Sequence, residues 1–243
     1  MIYLKNLLLL ILIKTSNKFG RGFYLKKRIF SSQNILENNF PEKSFFNFIQ
    51  VGANDGISFD FLYDFIIKRD SKGVVVEPVK EYFDELIQNY EDCPKIIKIN
   101  KAVHSLQKSV VISRISPKAV EKYPDWVKGI ASLDANHHKK TGIDSGDIVE
   151  EVVNADNLMN IVNQNMVNKN IDYFQVDTEG FDYEVLKMID FDIIKPKIIK
   201  YEYVNLNIED QKALLLLLNN NGYFMFNEFG DTVGVDLKKI KLY

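Results

Sequence analysis

From about Phe45 onward, short apolar runs rich in β-branched and aromatic residues alternate with longer stretches whose apolar positions recur at helical spacing. That alternation predicts βαβ units around a parallel sheet. Main strands are expected at residues 45–51, 73–77, 95–103, 171–177 and 197–204, with further β-rich pieces at 109–116 and 148–153. Helices are expected at 59–68, at 80–89, from near Asp156 (which can cap the first turn), at 181–189, and from a cap at Asn207 to the Asn run before Gly222. Residues 223–229 and 232–237, joined at Gly230-Asp231, read as an antiparallel hairpin. The expected fold is α/β, a doubly wound, mostly parallel sheet with one reversed strand, in which ligands bind beyond the carboxyl ends of the strands.

The first 44 residues lie outside this pattern and read as an N-terminal extension, with the main domain at 45–243. Their apolar run, 7–13, is far short of the roughly 20 residues a spanning helix needs. Lys5 and the KTSNK stretch make a poor signal peptide. Lys14, Lys18, Arg21, Lys26, Lys27 and Arg28 follow, so residues 1–28 suit either a helix docked on protein or one resting on an anionic membrane surface. With 46% hydrophobic residues in 243, the chain can build one full core, and its net charge of -2 offers neither nucleic acid nor a strongly acidic membrane a bulk attraction, which leaves only local basic patches. A single cysteine, Cys93, and three histidines leave no disulfide or structural zinc set, so a reducing cytoplasm is the default location, with membrane-peripheral attachment as the variant.

Chemistry concentrates at the strand ends. The first strand runs into Gly52-Ala53-Asn54-Asp55-Gly56, a backbone permissive enough for a sharp turn and a close ligand. An ordinary βα turn uses the same residues. The dinucleotide fingerprint is absent, because Asn54 stands where its second glycine belongs. Glu77, followed by Pro78, ends the second strand at a spacing suited to holding ribose hydroxyls, or else to capping the next helix. Asp177 and Glu179 end a later strand and Glu202 the one after it. Asp55, Glu77, Asp177, Glu179 and Glu202 would therefore crowd one rim, which disfavours a pyrophosphate and favours a cationic cofactor or a divalent metal. S-adenosylmethionine carries both a sulfonium and an ammonium. The long connection 117–147 has the length of a lid and holds Trp126, Ser132, His137 and His138. Trp126 suits a plug over the sheet end or a platform for a sugar ring. Ser132 is a polar candidate contact to cofactor or acceptor.

The segments IQVGANDG, VVVEP, GIASL, VDTEGFDYEVL and KYEYVNL, in this order and spacing, resemble the FkbM family of S-adenosylmethionine-dependent methyltransferases over roughly 45–237. The resemblance implies a class I methyltransferase (Rossmann-like) fold, with seven strands and the last hairpin strand reversed, and O-methylation of a sugar or polyketide-type hydroxyl. It implies that Gly52, Asn54 and Gly56, with Asp55 beside them, form the cofactor loop. Glu77, with Pro78, would hold the ribose, and Lys101 and Ala102 would lie near the adenine. By the same likeness Asp177 is the acid beside the methionine moiety and the acceptor, and His137 gains a role. Gln50 departs from the family, where many members carry an acid; an amide can still bind the methionine ammonium, without charge assistance. Asp177 and Glu179 are the positional candidates for a general base. Two other readings stay open: a metal-assisted transferase with Asp177 and Glu179 as ligands, and a non-catalytic binding module on the same fold.

Overall fold

A computed structural model describes residues 1–17, 29–59, 61–167 and 169–243. The basic stretch 18–28 and Asp60 of the expected helix 59–68 lie outside the described residues. In chain order the elements are α1 (Ile2–Asn17), α2 (Ser32–Asn39), β1 (Phe45–Val51), α3 (Leu62–Ile67), β2 (Asp70–Val76), α4 (Lys80–Asn89), β3 (Ile96–Ile99), β4 (Ala102–Val103) and β5 (Ser109–Ile115). There follow α5 (His138–Thr141), β6 (Ile148–Asp156), α6 (Leu158–Asn165), β7 (Tyr173–Val176), α7 (Asp182–Lys187), β8 (Ile198–Glu202), α8 (Ile208–Asn220), β9 (Phe224–Glu228) and β10 (Asp231–Val235).

Seven strands form the main sheet in the order β3-β2-β1-β7-β8-β10-β9. Every pairing from β3 to β8 is parallel, and β10 alone runs antiparallel to both of its neighbours. This is the class I methyltransferase architecture, and the chain order reverses between β1 and β7, which makes the switch point at which ligands bind. β1 and β7 sit at the centre, so Phe48, Ile49, Phe174 and Val176 are buried on both faces, as continuous apolar runs require. On one face Phe46 lies edge-on to Phe65, with ring centroids 4.9 Å apart. Ile13, Ile35, Leu36 and Phe40 of the N-terminal extension join that same core.

Two expectations need correction. The strand expected at 95–103 is broken: β3 ends at Ile99, and Ala102–Val103 pairs instead with β6 in a separate sheet of order β4-β6-β5. Asn100 turns the chain between them by donating from Nδ2 to the carbonyls of Glu77 and Pro78, at 2.9 and 3.0 Å. Nor does Asp156 cap α6. Asn157 does so, its side chain accepting from Met159 N at 2.9 Å, while Asp156 is drawn to Lys101 Nζ at 2.7 Å. The cap at Asn207 stands as expected, with Oδ1 accepting from Asp210 N at 2.8 Å.

Candidate active site

Beyond the carboxyl ends of β1, β2, β7 and β8 lies a cavity of about 420 Å3, within the range of small-molecule sites. One of its lips is built from the turns after β1 and β2. Gly52 has φ +77, and a Cβ there would come within 1.7 Å of the Asp177 carbonyl oxygen, so no side chain fits between the two central strands. Asn54 also sits at positive φ, 50°. The turn holds this uncommon conformation because its groups are bonded: Asn54 N donates to Glu77 Oε2 at 2.9 Å, and Asn54 Nδ2 donates to the Lys128 carbonyl at 2.9 Å. Glu77 Oε1 accepts in turn from Val79 N, also at 2.9 Å. The carboxylate thus ties the glycine turn to the start of α4 and lines the cavity as well. Burial pushes its pKa up to about 7, against the downward pull of the two backbone bonds.

Acids form the opposite lip. Asp177 follows β7, Glu179 sits two residues on at φ 53, and Glu202 ends β8. One carboxylate oxygen from each lies within 4.8 Å of the others. Asn205 Nδ2 bridges two of them, donating to Glu179 Oε2 and Glu202 Oε2, each at 2.7 Å. His137 is buried and places Nε2 2.9 Å from Glu179 Oε2, in a contact too bent for a hydrogen bond. Beneath them Asp182, fully buried, accepts from Thr178 Oγ1 at 2.9 Å and from Glu202 N at 3.2 Å, locking the β7 and β8 ends together. Burial raises Asp182 to about 8 and Glu202 to about 7, with the neighbouring acids adding to both. Asp177 is exposed and opens onto the cavity. The protein around its carboxyl at the cavity mouth, then Glu179, Asp182 and Glu202, lifts it well above the usual range.

Gln50, Gly52, Asn54, Glu77, Pro78, Lys101, Ala102, Asp177 and Glu179 all line this one cavity. The other named candidates stand behind it. Asp55 is a turn residue, its carboxylate accepting from Ile57 N, Ser58 N and the Ser58 hydroxyl, so it does not join the acid lip. A Cβ on Gly56 would meet the Tyr90 ring at 2.4 Å, which makes that glycine a packing requirement. Ser132 spends its hydroxyl on the Glu179 carbonyl at 2.8 Å, holding the Glu179 turn. His137 supports Glu179 from the protein side. Sequence reasoning passed over Asn205, although it lies in KYEYVNL three residues after Glu202, and over the apolar wall of Tyr82, Ile112 and Phe181. Trp126 lines the cavity and is 44% exposed, so it is not a buried plug.

Among the described lining residues Lys101 is the one lysine or arginine, and it is paired with Asp156. The donor set therefore fits a ligand that brings its own positive charge on the acid lip and hydroxyls on the Glu77 lip. No helix among the described residues is long and apolar enough to cross a membrane.

The chain matches the Methyltransferase FkbM domain family over residues 50–225. Among solved structures it is similar to Methyltransferase FkbM from Methylobacillus flagellatus KT, with 12% identity and TM-score 0.48 over 79% of this chain and 44% of that one. It is also similar to a METTL16 MTase domain (10%, TM-score 0.44, 88% and 65% of the two chains) and to a Methanococcus jannaschii fibrillarin pre-rRNA processing protein (13%, 0.42, 85% and 75%). The chain spans less than half of the Methylobacillus protein's length. No curated protein matches its sequence.

Proposed function

From the premise that this chain belongs to the FkbM methyltransferase family, we propose that it is an S-adenosylmethionine-dependent O-methyltransferase acting on a sugar hydroxyl of a glycan or glycolipid precursor. The observation that carries this reading is the single cavity with two unlike lips, one a backbone-bonded Glu77 and the other a cluster of Asp177, Glu179 and Glu202, with Lys101, already paired to Asp156, the one lysine or arginine among the described lining residues. Glu77 keeps lone pairs for ribose hydroxyls after accepting its two N–H bonds. Pro78, Tyr82, Ala102 and Ile112 give an apolar wall for a base, and Gln50 and Asp177 face the onium end. When bound, S-adenosylmethionine supplies a methyl group already activated by sulfonium charge, which leaves alignment and proton removal to the protein.

Asp177 suits proton removal. Its raised pKa makes it a stronger base than an ordinary carboxylate, and it faces the cavity. The carboxyl groups of Glu179 and Glu202, cross-linked by Asn205, stand beside it and add to its proton affinity. Trp126 and Phe59, both partly exposed on the cavity wall, offer apolar surface to the face of a sugar ring. The test begins with binding: S-adenosylhomocysteine raises the melting temperature of the wild type and fails to raise that of Glu77→Ala. A screen of glycan oligosaccharides with methyl-labelled cofactor then reads out the acceptor, and labelled ether on a sugar hydroxyl is the expected product.

The carboxylate oxygens of Asp177, Glu179 and Glu202, within 4.8 Å of one another, favour a second reading in which they hold a divalent metal that polarises the acceptor. Transfer that persists at full rate in EDTA excludes it.

A further inference from the structure

The helix α1 is apolar on nearly its whole circumference, and a helix of that kind needs covering on more than one side. One side is covered by its own protein. Asn6, completely buried, donates from Nδ2 to the carbonyls of Leu237 and Ile240 at 2.9 and 2.7 Å, and its Oδ1 accepts from Leu242 N at 3.2 Å. Ile13, two turns along, is buried on the same side. This polar tether fixes the rotation of the helix. The opposite side presents Leu4, Leu8, Ile11 and Leu12, which are 63%, 54%, 58% and 62% exposed and recur at i, i+4, i+7 and i+8. Exposed Lys5 and Lys14 fall at the two edges of that stripe on the helical wheel.

We infer that this outward stripe of α1 seats on an anionic lipid bilayer, with the helix lying flat in the interface and its flanking lysines reaching the headgroups. Three observations select this occupant. Sixteen residues of helix span roughly 24 Å at 1.5 Å per residue, too short for a hydrocarbon core of about 30 Å. Because the tether uses the opposite side, the stripe can enter a surface without undocking the helix. Residues 1–28 hold seven basic side chains and no acidic one, in a chain whose net charge is -2. A second copy on this face would set Lys5 and Lys14 against their like-charged counterparts, whereas an anionic surface complements them. The inference is independent of the methyl-transfer reading.

Co-sedimentation of the full chain with vesicles tests it. The wild type pellets with phosphatidylcholine vesicles containing phosphatidylglycerol, and pelleting falls by about tenfold or more with pure phosphatidylcholine or with Leu8→Glu/Ile11→Glu. Both substituted side chains are exposed, so the variant keeps the wild-type melting temperature. Should it not fold, Lys5→Glu/Lys14→Glu carries the test and loses affinity for the anionic vesicles alone. Absence of pelleting by the wild type, equal pelleting with neutral vesicles, equal pelleting by the variants, or a wild-type dimer that Leu8→Glu/Ile11→Glu dissolves without any vesicle binding would each overturn the proposal.

Discussion

The two lips of the cavity put carboxylates to opposite uses. On the Glu77 lip one buried acid accepts from two backbone N–H groups and joins the turn after β1 to the start of α4. On the other, Asp177, Glu179 and Glu202 face one another, bridged by one amide and touched by one imidazole. The first arrangement is hydrogen-bonded within the protein. The second concentrates like charge, and burial followed by that crowding raises the carboxyls of Asp177 and Glu202. A fold tolerates such crowding at a functional site because the surrounding network over-determines the geometry.

The largest effect comes from breaking the contact between the lips. Gly52→Ala drives a Cβ into the Asp177 carbonyl at a backbone conformation that alanine resists. A cost of about 3 kcal/mol or more should lower the melting temperature by roughly 6–12 °C, read by thermal unfolding. Next, Asp177→Asn separates charge from shape. Methyl transfer should fall by about 10²-fold or more, while S-adenosylhomocysteine still raises the melting temperature and the ligand-free protein is more stable at pH 8 than the wild type. Retained transfer would remove Asp177 as the base.

A pH series sharpens the contrast further. Burial raises Asp182 to about 8 and both Glu77 and Glu202 to about 7, each above its unfolded value near ~4. Between those limits the folded protein binds more protons than the unfolded one, so stability is fully present at the acid end and declines as pH rises toward 8. Melting temperature should follow that decline in the absence of ligand and level off above it, and Asp182→Asn should flatten the part between 7 and 8. A curve rising across the window would contradict the assignment. The smallest effect belongs to Asn205→Ala, which removes the bridge while leaving every acid in place. Stability should drop by about 1–2 kcal/mol and transfer by several-fold, measured side by side on one preparation.

Much of the frame was legible before any coordinates. β1, β2, β7 and β8 follow from apolar runs bounded by turn residues, and Gly52, Glu77 and Asp177 follow because a parallel sheet brings its strand ends together. Other features were not. The pattern at 95–103 is equally good for one strand or two, and the division depends on Asn100 finding the carbonyls of Glu77 and Pro78. Asp156 and Asn157 are both competent caps, and Lys101 on a different segment decides between them. Asp55 and Ser132 have the right chemistry for a ligand, yet local bonds already occupy them.

The amino-acid order by itself determined the α/β alternation, the reversed hairpin strand, the glycine turn and the family, because these rest on periodicity and on contiguous motifs. Which acids share the cavity, which face of α1 points outward, and how Asn205 and His137 flank Glu179 were decided only by the tertiary structure. Those outcomes depend on side-chain direction and on partners distant in the chain. Periodicity carries no information about either.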